Sequence, residues 1–186
     1  MKKTPTAYHH PIRHKTRAES DLESLKSYEI NNNISICCVH LFSDGNLGYL
    51  IRAAACFGAA KIYVIGSVPK YKELRILSCG LNNMVEIIQF RNPSEFLAYS
   101  RENGLYLVSL EQGDDATSIF DYRFPMDKKV CIVTGNETLG VPSEILNNSD
   151  VVFIPNPGPG TCMNTSQAAN IGLYEYTRQR MGSKND

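Results

Sequence analysis

Six short apolar runs, alternating with stretches of helical periodicity, constrain this 186-residue chain more than any other feature. The runs are SICCVHLF (35–42), KIYVIG (61–66), VEIIQF (85–90), LYLVSLE (105–111), KVCIVTG (129–135) and VVFIPN (151–156). Between most of them lie helix patterns, at 46–57, 72–79, 94–102, 142–148 and 164–181. Strands that are apolar throughout must be covered on both faces, and a helix after nearly every strand supplies the cover while returning the chain to the same end of the sheet. An α/β fold on a parallel, Rossmann-like sheet is the expectation. No internal repeat or interdomain linker interrupts the pattern, and the length suits one domain. The division expected is a polar, basic extension at 1–33 and a folded domain at 34–182.

Open parallel sheets bind ligands beyond the carboxyl ends of their strands. Three of those ends carry polar, glycine-bearing sequence: SDGNLG after the first run, GNETLGVP after the fifth and NPGPGTCMNTS after the sixth. The last holds Pro155, Pro157, Gly158, Pro159 and Gly160 and no charge. Proline fixes φ and glycine reaches conformations closed to other residues, so such a loop can hold a bent path without long side chains blocking it. It has no lysine and no GxxxxGK[ST] pattern, and the first run is not followed by GxGxxG, so neither phosphate cradle is present. A ligand wanting backbone hydrogen bonds and apolar contact, such as a nucleoside without phosphates, suits it.

Formal net charge is zero, yet residues 1–17 hold five bases and three of the four histidines with no acid. A basic arm ahead of a mildly acidic body is consistent with phosphate contacts and equally with a solvated tail. No apolar stretch approaches the roughly 20 residues of a membrane span, and MKKTPTAYHH lacks the apolar run of a signal peptide, which points to the cytoplasm. The six cysteines show no CxxC spacing and no nearby histidine cluster, so no metal is expected. Cys37, Cys38, Cys56 and Cys131 lie in apolar segments and read as small, reduced hydrophobes.

The three strand-end segments resemble, in order, the three motifs of the SPOUT superfamily, specifically the TrmH (SpoU) family of RNA ribose 2′-O-methyltransferases. NLGYLIRAAACFGAAKIYVIG is similar to the first, with Asn46 and Arg52; VTGNETLGVPSEIL to the second, with Gly135, Glu137 and Gly140; IPNPGPGTCMNTSQAANIGLYEYTRQR to the third, with Asn164. The resemblance implies a deep C-terminal trefoil knot in which the loop around 155–162 threads through the chain and helix 164–181 packs behind it. It implies S-adenosylmethionine as cofactor, contacted by Leu110, Gly135, Ile154 and Met163, and a homodimer that builds each site from both chains. A catalytic set of Arg52, Asn46, Glu137 and Asn164 is implied as well.

Each of these residues also has an ordinary reading. The i−4 and i+4 neighbours of Arg52 are Gly48 and Cys56, so no carboxylate pairs with it along the helix. It reads as a surface arginine, a partner of Glu137, or the residue that activates the ribose hydroxyl. A guanidinium keeps its proton, so pinning a phosphate or stabilising an oxyanion is chemically easier than acting as a base. Asn46 stands near the helix start, where capping is the common task. Glu137 is a loop acid or a group that orders the site beside a sulfonium. Asn164 and Ser166 open the last helix, where both residue types cap. Gln167, Asn170, Tyr174 and Thr177 then form a polar stripe, solvated or facing a second subunit. Cys162 departs from the Ser-Leu-Asn pattern common in the family, and a thiol is a poorer hydrogen-bond donor than a hydroxyl. RNA is the implied partner, transfer RNA ahead of ribosomal RNA, since the residues before the first strand are few for an accessory RNA-binding domain. A catalytically inactive RNA-binding or assembly factor on the same fold is the alternative.

Overall fold

The computed structural model describes residues 31–39, 44–160 and 162–182. The basic arm, residues 40–43 of the first strand-end turn and Thr161 lie outside the described residues. Seven strands form one sheet: β1 (Asn31–Val39), β2 (Ala59–Ile65), β3 (Glu86–Phe90), β4 (Leu105–Leu110), β5 (Thr117–Ser118), β6 (Lys129–Thr134) and β7 (Asp150–Phe153), in the order β3-β2-β1-β6-β4-β7-β5. Every strand pairing is parallel. The helices are α1 (Asp44–Phe57), α2 (Tyr71–Leu77), α3 (Pro93–Glu102), α4 (Ser143–Leu146) and α5 (Thr165–Gly182), with a 3-10 turn at Leu81–Asn83.

The six expected strands are all present, with ends shifted by a few residues. β1 runs from Asn31 to Val39. β7 stops at Phe153 because Pro155 and Pro157 remove the donors a longer ladder needs. β5 was not expected: two residues carry no periodicity, and their place comes from pairing Thr117 and Ser118 with Val152 and Phe153.

Alternation along the strands builds two cores. Ile34, Ile36 and Cys38 of β1 face Leu50, Ile51 and Ala54 of α1 and Leu173 and Tyr176 of α5. Cys37 and Val39 point the other way, toward Phe96 and Leu97 of α3 and Ile145 of α4. On that second face Tyr63, Phe90, Phe96 and Tyr99 make tilted and edge-on ring contacts at 5.2–6.2 Å. Burial of a side chain such as Phe96 stabilises the fold by roughly 1.5–3 kcal/mol. Cys37, Cys38 and Cys131 are wholly buried, and burial pushes their thiols up, Cys131 to about 12. Cys56 departs from expectation: it is exposed, and lines a cavity beside the last helix.

The strand order reverses between β1 and β6. Chain leaving β1 runs toward β2 and β3, whereas β6 leads toward β4 and β7, so a crevice opens between their carboxyl ends. Helix α5 returns across this side, packing against α1 and lying over β6 and β4. Among the described residues no helix is long and apolar enough to cross a membrane.

Candidate active site

The crevice is organised by a chain of side-chain hydrogen bonds that joins all three motif segments. Asn164 directly precedes α5, and its Oδ1 accepts the main-chain N–H of Ser166 at 2.9 Å and of Gln167 at 3.4 Å, so it caps the helix. With its oxygen turned to the helix, its Nδ2 donates to Oδ1 of Asn46 at 3.0 Å. Asn46 Nδ2 in turn donates to Oε1 of Glu137. Asn46 is the third residue of α1 and only 5% exposed, so its side chain faces inward and does not cap that helix. The cap reading of Asn46 is corrected; that of Asn164 stands beside its bridging role.

The turn after β6 is closed on itself. Asn136 and Gly140 exchange main-chain hydrogen bonds at 3.0 and 2.9 Å, and the Asn136 Oδ1 accepts Thr138 and Leu139 N–H groups. A Cβ on Gly135 would stand 2.1 Å from the Gly140 carbonyl carbon, so only glycine allows this approach. Glu111, at the end of β4, grips the turn from the other side by accepting Val141 N–H at 2.9 Å. Thr165 donates its hydroxyl to Gly135 O at 2.9 Å, fastening the start of α5 to the same turn.

Two cavities flank the start of α5. The first, about 260 Å³, is lined by all four residues expected to hold a cofactor, Leu110, Gly135, Ile154 and Met163, together with Glu111, Glu137 and Cys162. The second, about 440 Å³, contains Arg52 with Tyr49, Asn164, Ser166, Gln167 and Asn170. Met163 and Thr165 face the first cavity while Asn164 and Ser166 face the second, so a single turn of chain divides them. Arg52 is exposed and, among the described residues, forms no ion pair; a salt bridge to Glu137 is absent. Its charge is left available to the cavity.

Among the described residues the wall of the first cavity has no lysine, arginine or histidine, and two carboxylates are there. Leu110, Ile154 and Met163 offer an apolar side and the Gly135–Gly140 turn offers main-chain groups, a combination that suits a neutral nucleoside carrying a positive charge. Among the described residues no cluster of three or more metal-ligating side chains occurs.

The sequence profile of the SpoU rRNA Methylase family matches residues 33–174. The chain belongs to this family. Within it, a Mus musculus protein named tRNA (guanosine(18)-2′-O)-methyltransferase TARBP1 is 30% identical over 142 residues, covering 73% of this chain and 9% of that protein. The Escherichia coli K12 tRNA (guanosine(18)-2′-O)-methyltransferase is 24% identical over 154 residues, 81% of this chain and 66% of its own length. The SpoU methyltransferase AviRb of Streptomyces viridochromogenes, solved with its cofactor AdoMet, superposes with a TM-score of 0.70 at 27% identity, covering 85% of this chain and 65% of that one. This SpoU-family chain thus spans under a tenth of the mouse relative and about two thirds of the bacterial ones.

Sequence reasoning passed over Glu111 and Asn136 and left Thr165 without a role of its own. Glu111 left a trace, a carboxylate ending an otherwise apolar strand. Asn136 and Thr165 act on main-chain groups that only the folded turn creates.

Proposed function

We propose that this chain is an S-adenosylmethionine-dependent RNA ribose 2′-O-methyltransferase, with transfer RNA favoured over ribosomal RNA. What carries the reading is the pair of cavities divided by residues 163–166, one suited to a cationic nucleoside and the other holding Arg52. The likeness to AviRb, solved with AdoMet, supports the cofactor, and the mouse and Escherichia coli relatives named for transfer RNA support the substrate.

When bound, S-adenosylmethionine supplies a methyl group on a positively charged sulfur. Leu110, Ile154 and Met163 would give it apolar contact, Gly135 main-chain hydrogen bonds, and Glu111 and Glu137 a negative potential. Asn46 fixes the Glu137 carboxylate, and Asn164 fixes Asn46. Arg52 holds its proton, so it stabilises negative charge in the second cavity, on the attacking oxygen or on the adjacent phosphate. That proposed catalytic set is Arg52, Asn46, Glu137 and Asn164.

The loop at 155–162 is read as threading the chain into a trefoil knot, with α5 behind it; the bond from Thr165 to Gly135 and the shared wall of Ile154, Met163 and Gly135 support this. The exposed residues Gln167, Asn170 and Tyr174 of α5, beside Tyr49 and Arg52 of α1, support a homodimer across this face. The segment 1–33 is read as an RNA-contacting arm on a domain of 34–182, in the cytoplasm where transfer RNA is handled.

Mass spectrometry of nucleosides from transfer RNA treated with the purified chain and methyl-labelled cofactor tests the reading. A labelled 2′-O-methyl nucleoside is expected. Calorimetric absence of cofactor binding would remove the enzyme and leave the non-catalytic RNA-binding factor.

A further inference from the structure

The direction of the hydrogen-bond chain fixes what Ser166 can do. Asn164 Oδ1, identified as oxygen by the two main-chain N–H groups it accepts, also lies 2.6 Å from Ser166 Oγ. An amide oxygen can only accept, so the hydroxyl proton of Ser166 is committed to it. Downstream, Asn164 donates to Asn46 and Asn46 to the Glu137 carboxylate. Three side chains therefore point their donors one way, from Ser166 to the Glu137 carboxylate, and each bond polarises the next. What remains on Ser166 Oγ is lone pairs. Ser166 is 6% exposed and lines the second cavity with Arg52, whose guanidinium only donates.

Beside the exposed Tyr49, Gln167 and Asn170, the cavity holds one buried hydroxyl that can only accept and one cation that can only donate, a pairing that suits a group able to do both. An alcohol is such a group: it donates a hydrogen bond to Ser166 Oγ and accepts one from Arg52 on its oxygen. A carbonyl or carboxylate leaves Ser166 unpaired, and so does a deoxy sugar. Resting on the proposed function, we infer that Ser166 is the acceptor for the target ribose 2′-hydroxyl and the residue by which this site tells RNA from DNA. Asn164, with Asn46 and Glu137 behind it, orients the Ser166 hydroxyl in addition to the roles proposed above.

The test compares Ser166→Thr with Ser166→Val, which match in shape and differ in the hydroxyl alone, with Ser166→Ala alongside. One mixed-sequence single-stranded oligonucleotide is made in ribose and in deoxyribose, and both are titrated by fluorescence anisotropy with S-adenosylhomocysteine present. The unaltered chain and Ser166→Thr are expected to prefer ribose. Ser166→Val and Ser166→Ala should lose that preference by about 3- to 10-fold, the range of one net hydrogen bond, with deoxyribose affinity unchanged. A ribose preference in Ser166→Val equal to that in Ser166→Thr overturns the inference alone, provided the unaltered chain methylates RNA. Equal binding of both sugars by an unaltered chain that also transfers no methyl overturns the proposed function with it.

Discussion

Asn164 donates its side-chain amide to Asn46 at 3.0 Å, joining residues 118 positions apart in sequence. The bond ties the first turn of α5 to the first turn of α1, and Asn46 passes the connection to Glu137 beyond β6. Three strand ends are thereby held as one body around two cavities.

Asn46→Asp tests this junction. The new carboxylate, at a buried position, could still accept from Asn164 but would face the exposed Glu137 carboxylate, and like charges repel. The variant should lose about 1–3 kcal/mol at neutral pH, the cost of a buried polar group left without its partner. Repulsion disappears once one carboxyl is protonated, so the deficit should shrink as pH falls toward 4. Urea unfolding at both pH values measures it, and a deficit that ignores pH would contradict the arrangement.

Arg52→Ala should leave cofactor binding and thermal stability close to normal, since the guanidinium forms no ion pair among the described residues. Methyl transfer should fall by about 10²–10³, the loss typical of one charge-stabilising donor. Arg52→Lys keeps the charge but not the forked geometry and should recover only part of the rate. Calorimetry and label incorporation separate the two effects.

Gly135→Ala places a methyl 2.1 Å from the Gly140 carbonyl carbon and 2.3 Å from Val141 N, both main chain. A shift of the turn is unavoidable, and a loss of about 1–3 kcal/mol or more is expected together with cofactor affinity. Gly158→Ala, with nothing within 4 Å of its new carbon, should stay within about 0.5 kcal/mol of the unaltered chain. Thermal unfolding of the two variants side by side is the measurement.

Cysteine labelling reports the cavity directly. Cys56, Cys79 and Cys162 are exposed and should alkylate readily in the native state, whereas the buried Cys37, Cys38 and Cys131, their thiols raised by burial, should react only on unfolding. S-adenosylhomocysteine should protect Cys162, which lines the first cavity, and leave Cys79 unaffected. Peptide mass spectrometry of the alkylated chain distinguishes the sites; an unprotected Cys162 would place the ligand elsewhere.

At the opposite end of the sheet, Asp150 Oδ2 accepts the hydroxyls of Tyr106 and Tyr122, each at 2.6 Å. Burial holds the Tyr122 phenol above its ordinary 10, and the hydrogen bond to Asp150 does the same for Tyr106. Raised phenols favour the neutral form in the fold, so their stabilisation is complete below about pH 10 and is lost as pH rises beyond it. Tyr122→Phe should cost about 0.5–1.5 kcal/mol at neutral pH and make the alkaline fall in stability shallower. Denaturant unfolding across pH 8–11 checks both signs.

The strands and helices were legible because their signals are periodic and local. Ile34, Ile36 and Cys38 alternate with Cys37 and Val39 in the chain as they do across the sheet. Cys56 misled because its segment is apolar on average, while its own side chain opens into a cavity beside α5. Asn46 misled because position near a helix start suggests a cap, and only the nearness of Glu137 and Asn164 turns its side chain inward.

Residue order alone dictated an α/β chain with three unusual strand ends, since solvent exclusion acts on patterns a few residues long. Which ends meet was decided in space: β6 inserts between β1 and β4, bringing Glu137 beside Asn46, and α5 returns to deliver Asn164 and Ser166. Hydrogen-bond direction is a property of atoms in contact, and those contacts span about a hundred residues, a distance over which no local pattern in the sequence extends.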